Sequence, residues 1–141
     1  MSTTKVQAQA LLNDGFTCVI YREEERYTST ERGVAPLLKW LESDKDFNEF
    51  WAADKVVGKA AAFLYVLLGV SFVHANVISD SAAEVFTRFG VGYSYGEKVS
   101  AIRNRAGDGF CPMEQAVWDI DNPQIAHVKI QERLRELKEQ K

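Results

Sequence analysis

The residues of this chain best suited to chemistry stand in Gly107-Asp-Gly-Phe-Cys-Pro-Met-Glu114. Two glycines one residue apart allow a tight backbone with positive φ. Pro112 suits the first turn of a helix, which places Cys111 at the N-cap. Unpaired N–H groups and the positive end of the helix dipole favour an anion there and make a thiol more acidic than usual. Cysteine is a poor cap beside Ser, Thr, Asn or Asp, so its use marks Cys111 as a candidate nucleophile or sulfur carrier. Glu114, third in the helix, either reaches back to the Cys111 amide as in a capping box or serves as a proton shuttle. Asn104 and Arg105 lie just upstream as candidate contacts for an anion, joined by Asp108 between the glycines. The plainer reading of the segment is an ordinary helix start.

A second segment, Ala53-Asp-Lys-Val-Val-Gly-Lys59-Ala60, comes close to the phosphate-loop pattern. Ala60 stands where that loop needs a Mg²⁺-binding Ser or Thr, and Val56 and Val57 replace its flexible residues. The segment instead predicts a short strand over residues 50–53, Asp54 as an N-cap, and a helix from Lys55 to Leu68 that is apolar nearly all round. Lys55 and Lys59, four apart, would then share a face. On so apolar a helix Lys59 either faces a cleft as a catalytic cation or snorkels to solvent. Thr30-Glu-Arg-Gly33 follows a predicted strand and precedes a helix, where open α/β sheets often carry sites. Glu31 and Arg32 are therefore candidate ligand contacts, and a solvated turn is the competing reading.

The elements that must position these residues follow from pattern. A helix over residues 3–13 ends at Asp14-Gly15. Phe16–Tyr21 and Arg26–Thr30 form a hairpin around Glu23-Glu-Glu25. A helix opens at Pro36, with Val34, Leu37, Leu38 and Leu41 on one face. Phe72–Ile78 is a near-continuous apolar run, as in a central strand covered on both faces. The next helix is capped at Ser81 or Ser79 and stops at Gly90, and Val91–Tyr95 is a further strand. Residues 99–108 are irregular or one helical turn, Pro112 opens a short helix, and an amphipathic helix runs from Pro123 to the end. The alternation predicts one domain over residues 1–141, a three-layer α/β/α sandwich around a mixed central sheet.

Composition narrows the function. The chain has 141 residues, 46% apolar and 26% charged, which suits a globular core. A net charge of −3 gives no pull toward nucleic acid or anionic membrane. The stretch from Ala60 to Ile78 is broken by Gly69, Ser71, His74 and Asn76, so no membrane span is expected. Two cysteines make no disulfide framework, and the N-terminus lacks an apolar signal core. The expected location is cytoplasmic. Cys18, His74, Cys111 and His127 show no zinc-ligand spacing, and no metal or other cofactor is expected. His74 reads as a satisfied core histidine.

Three groups of residues together resemble a prokaryotic family named for domain of unknown function 1893. They are Glu31-Arg-Gly-Val34 with Pro36-Leu-Leu38; Ala53-Asp-Lys-Val-Val-Gly-Lys-Ala-Ala61; and Asn104-Arg105 with Gly107-Asp-Gly109 and Cys111-Pro-Met-Glu114. The resemblance implies a cytidine deaminase-like fold. Zinc deaminases carry a His/Cys-Ala-Glu motif on the helix after the hairpin and Pro-Cys-x-x-Cys on the next helix. The matching slots hold Thr30-Glu31-Arg32 and Asp54-Lys55-Val56-Val57, which supply no zinc ligand. The resemblance thus implies the scaffold and argues against deamination. Two functions remain: binding or Cys-dependent chemistry on a small anionic metabolite, or a non-catalytic regulatory or interaction module. The terminal helix would offer the latter a docking surface, including one for a second copy of the chain.

Overall fold

The computed structural model describes residue 12 and residues 15–23, 25–31, 33–43, 45–103, 107 and 109–139. Five strands form one mixed sheet in the order β2-β1-β3-β4-β5. The hairpin pairs β1 (Cys18–Arg22) with β2 (Glu25–Ser29), and Glu23 turns it with φ +54°. β1 runs antiparallel to β3 (Trp51–Val57), placing Cys18 directly opposite Asp54. β3, β4 (Phe72–Ser79) and β5 (Gly92–Val99) are parallel. Helices α1 (Ala35–Glu42), α2 (Lys59–Leu68), α3 (Asp80–Phe89), α4 (Pro112–Ala116) and α5 (Pro123–Glu139) complete the fold.

Side chains from these five helices meet the sheet in one apolar core. Its centre is α2, seven of whose ten residues are buried. That helix packs against α1, α3, α4 and α5. Burying each large apolar side chain is worth about 1.5–3 kcal/mol, and Phe63, Leu64 and Tyr65 lie consecutively inside with 1% exposure or less. The opposite face of β1 and β3 carries a smaller cluster of Leu12, Val19, Tyr21 and Ala53. Leu12 is helical. The rest of the helix expected over residues 3–13 lies outside the described residues. Among the described residues, no helix is long and apolar enough to cross a membrane.

Two differences from the sequence expectation bear on the site. β5 continues four residues past Tyr95, because its pairing with β4 persists to Ser79↔Val99. The larger correction falls at the second segment. Asp54 does not cap a helix and Lys55 does not begin one. Both belong to β3, which continues through Val56 and Val57 in register with Val77 and Ile78. β-branched residues beside an existing parallel strand favour continued pairing over the local helical signal. Lys55 and Lys59 therefore share no helical face, and the slot matched to the second deaminase motif lies on a strand.

The helix begins instead at Lys59, with Gly58 as an extended N-cap that has no side chain to offer. Its first N–H groups are satisfied from far along the chain. Glu114 Oε1 accepts from Lys59 N at 2.8 Å, and Oε2 accepts from Ala60 N at 2.9 Å. Gly58 is required by contact, since a Cβ there would lie 2.5 Å from the Glu114 carboxyl carbon. By contrast, α3 is capped locally, with Ser79 Oγ accepting from Ala82 N at 3.1 Å.

This arrangement predicts a coupled pair of substitutions. Glu114→Ala deletes the cap, and Gly58→Ala displaces the same carboxylate. Each should lower unfolding stability by about 1–2 kcal/mol. With the carboxylate gone, an alanine at 58 has room, so Gly58→Ala in the Glu114→Ala background should change stability by less than about 0.5 kcal/mol. Urea denaturation of the four proteins measures this. Simple additivity of the two losses would show that they do not act on one cap.

Candidate cleft at the ends of the parallel strands

The C-terminal half of β3, the start of α2, the turn from β2 to α1 and the connection from β5 into α4 surround a cleft of about 440 Å³. This lies at strand ends and helix starts, where open α/β sheets tend to bind ligands. Glu31, Asp54, Lys55, Cys111 and Glu114 all line it, so the three sequence segments do converge. Arg103, Cys18 and Thr17 also line it. Lys59 does not belong to the lining. Its ammonium snorkels outward, donating to the Trp118 carbonyl at 3.0 Å and lying 5.8 Å from the Phe63 ring centre. Arg32, Asn104, Arg105 and Asp108 lie outside the described residues.

Cys111 stands at the N-cap of α4, as its neighbour Pro112 predicts, but its side chain makes no cap hydrogen bond. Its thiol is half-buried and faces the cleft lining. Backbone contacts hold it there: Cys111 N donates to Ile102 O at 3.1 Å, and Phe110 pairs with Arg103 as an isolated bridge. The Arg103 guanidinium lies 4.7 Å from the Phe110 ring centre. Glu114 makes no capping box with the Cys111 amide, because that amide is taken by Ile102 and both carboxylate oxygens by α2.

Two buried carboxyls thus line one cleft with different partners. Burial pushes the Glu114 carboxyl upward, and the Ala60 and Lys59 amides with the Lys59 charge oppose this. Asp54 is 8% exposed. It accepts from the Tyr65 hydroxyl at 2.7 Å, and Cys18 Sγ lies 3.0 Å from that same hydroxyl. Burial pushes Asp54 up from its ordinary 3.8 to about 7, against the opposing hydrogen bonds from Tyr65, the Val56 and Lys55 backbone and Cys18. Burial likewise raises Cys18 and Tyr65 well above their ordinary values, so both stay protonated at neutral pH.

The remaining charge is uneven. Glu31 is engaged by Lys39 at 2.7 Å. Lys55 and Arg103 make no ion pair with a carboxylate among the described residues. The lining therefore includes two cationic residues and an ionisable acid. Sequence reasoning missed Cys18, Tyr65 and Arg103. A tyrosine on a buried helix that is otherwise apolar after Lys59 was the available signal, because a buried hydroxyl needs a polar partner. Pairing β1 against β3 then points to the Cys18–Asp54 register. His74, expected as a satisfied core residue, is buried and bonds Ser94 Oγ across β4 and β5 at 2.8 Å.

The zinc implied by deaminase-like proteins does not fit this cleft. Cys18 is committed to Tyr65 and Glu114 to two amides, and no group of three His, Cys, Asp or Glu residues among the described residues could hold a metal ion.

A five-stranded mixed sheet with helices packed on it and a cleft at its strand ends defines an α/β protein. The family model described as TM1506, domain of unknown function (DUF1893), matches residues 7–134, and the chain belongs to that family. The fold is similar to the crystal structure of a DUF1893 family protein (TM1506) from Thermotoga maritima. The two superpose with a TM-score of 0.85 at 23% identity, over 92% of this chain and 88% of that one. No curated protein matches the chain.

The buried acid makes stability depend on pH. Folded Asp54 keeps its proton up to about pH 7, whereas in the unfolded chain it loses it near pH 4. Its contribution is therefore complete below about pH 4 and is lost as pH rises through about 7, a difference of about 4 kcal/mol. Glu114 adds to the loss with the same sign. Urea midpoints measured between about pH 4.5 and about 7.5 should fall more steeply in the wild type than in Asp54→Asn. Parallel slopes would show that Asp54 ionises as freely in the fold as outside it.

Proposed function

We propose that the cleft binds a small anionic metabolite and that Cys111 is its nucleophile, on a scaffold of the cytidine deaminase-like type. The observation that carries this reading is the meeting of a half-buried Cys111 thiol with Lys55 and Arg103 in one cleft. Cations without a carboxylate partner attract an anion, and a thiolate beside a bound electrophile is the basis of covalent catalysis. Arg32, Asn104, Arg105 and Asp108 remain ligand contacts in this reading. Glu114 acts on the site by holding α2, which leaves Asp54 as the acid–base group of the lining. The scaffold reading is supported by the hairpin followed by β-α-β-α-β alternation and by the β2-β1-β3-β4-β5 order. The deaminase chemistry is not part of it, because the residues of the lining do not form a zinc set.

One further observation favours a second reading, a protein-interaction module. Phe110 and Trp118 pack on each other at 5.2 Å while 37% and 52% exposed, and Ile125 and Val128 are exposed on α5. Such a surface suits a protein partner or a second copy of the chain.

Charged and neutral alkylating agents separate the readings. Iodoacetate and iodoacetamide attack the same thiol and differ in charge. In the wild type, Cys111 should favour iodoacetate by about fivefold or more relative to the Lys55→Gln/Arg103→Gln variant, with mass spectrometry locating the adduct. That factor corresponds to about 1 kcal/mol of charge attraction, and added salt should shrink it. An unchanged ratio, or a Cys111 that reacts only after denaturation, would remove the anion-binding nucleophile and leave the interaction module.

A further inference from the structure

Asp54 differs from Glu114 in where its hydrogen bonds lead. The Tyr65 hydroxyl has one proton, and it is donated to Asp54 Oδ2 at 2.7 Å. With the carboxylate ionised the hydroxyl oxygen can only accept, and Cys18, whose Sγ is 3.0 Å away, serves both it and Asp54. The result is a network in which the hydroxyl and the thiol both serve the carboxylate. Tyr65 is fully buried and Cys18 is 2% exposed, and Cys18 and Asp54 both line the cleft. The three positions are fixed by independent elements. Cys18 and Asp54 face each other across β1 and β3, and Tyr65 comes from α2. The network ends on Asp54, the most exposed of its three members at 8%. It holds one carboxylate oxygen in place and leaves the other directed to local donors and the cleft.

We propose that Asp54 exchanges a proton with the molecule bound in the cleft, that Tyr65 backed by Cys18 is its positioning residue, and that the ligand is a small hydroxy or amino acid. This rests on the reading that the cleft binds a small anion. The anionic end of the ligand meets Lys55 and Arg103, and its O–H or N–H meets Asp54. The step is a simple proton transfer. The ligand gives its proton to a carboxylate lone pair of Asp54, the bonding electron pair stays on the ligand oxygen or nitrogen, and the carboxyl later returns the proton. No other reactant is needed.

A carboxyl that changes charge near pH 7 suits this exchange at neutral pH. The groups around it are few. Cys18 and Tyr65 stay neutral, and Ala75 faces it from β4 without charge. Lys55 adjoins it on β3. From the cleft come Arg103, Cys111 and Glu114, with Glu31 already paired to Lys39.

Carbon NMR of the Asp54 carboxyl tests the proposal on the whole chain. The wild type should titrate near pH 7. Tyr65→Phe removes a donor to the charged form, so the midpoint should rise by about one pH unit. Cys18→Ala should raise it by less, and Cys18→Ser, which keeps a donor, should restore it. These variants keep the test open if Tyr65→Phe does not fold. A midpoint near 4 in the wild type, or one unmoved by these substitutions, overturns the positioning role. Glycolate and acetate share a carboxylate and differ by one hydroxyl. Glycolate should lower the Asp54 midpoint by about half a pH unit, and acetate should not. If both perturb the Lys55 and Arg103 amides but neither moves Asp54, the hydroxy- or amino-acid assignment falls while anion binding stands. If neither perturbs those amides, the anion-binding reading falls and takes the ligand assignment with it.

Discussion

The carboxylate of Glu114 joins two parts of the chain that sequence separates by more than fifty residues. Its oxygens take the first two N–H groups of α2, and Gly58 leaves them the space to do so. A helix start buried without such acceptors would leave several donors unsatisfied, at about 1–3 kcal/mol each. Local sequence offers no substitute, because Gly58 has no side chain and no acidic residue falls in the first turn of α2. The cap must come from elsewhere, and α4 supplies it. In doing so it brings Cys111, three residues earlier, to the edge of β3. The cleft is a consequence of that tie.

The same contact decides what the helix start can do. An α-helix N-terminus attracts anions, and here an internal anion already occupies it. In the function proposed above, the ligand anion goes instead to Lys55 and Arg103. This explains in physical terms why the near-match to a phosphate loop does not work as one. The loop's lysine position, Lys59, turns outward to the Trp118 carbonyl, and the amides that would cradle a phosphate are bonded to Glu114.

Much of the fold was legible in the sequence because long periodic stretches leave few alternatives. The hairpin, β4, α3 with its Ser79 cap, the Gly90 stop and the helices after Pro112 and Pro123 all follow from local chemistry. The misplacement at residues 54–57 has a specific cause. Asp before an apolar run is a strong helix-start signal, but β4 and β1 sit on either side of that segment and supply ladder partners that no local window contains. The site was legible at its composition level, since Glu31, Asp54, Lys55, Cys111 and Glu114 do meet. Their roles were not. Glu114 looked like a cap for its own helix because its true partner lies fifty-five residues earlier, and Tyr65 looked like core because its hydroxyl partner is set by strand register.

Burial alone does not define the two acids. Both Glu114 and Asp54 are driven upward by desolvation. Glu114 meets two backbone donors that are fixed in a helix and cannot leave, so its charge serves structure. Asp54 meets a hydroxyl that is itself mobile only as far as α2 allows, and its position on the cleft leaves it open to exchange. The two acids are nevertheless linked through one element, because α2 receives its cap from Glu114 and gives Tyr65 to Asp54. A shift of the helix start would carry the Tyr65 hydroxyl with it. The structural acid therefore sets the geometry in which Asp54 ionises, and the rigidity of α2 in the core is what connects them.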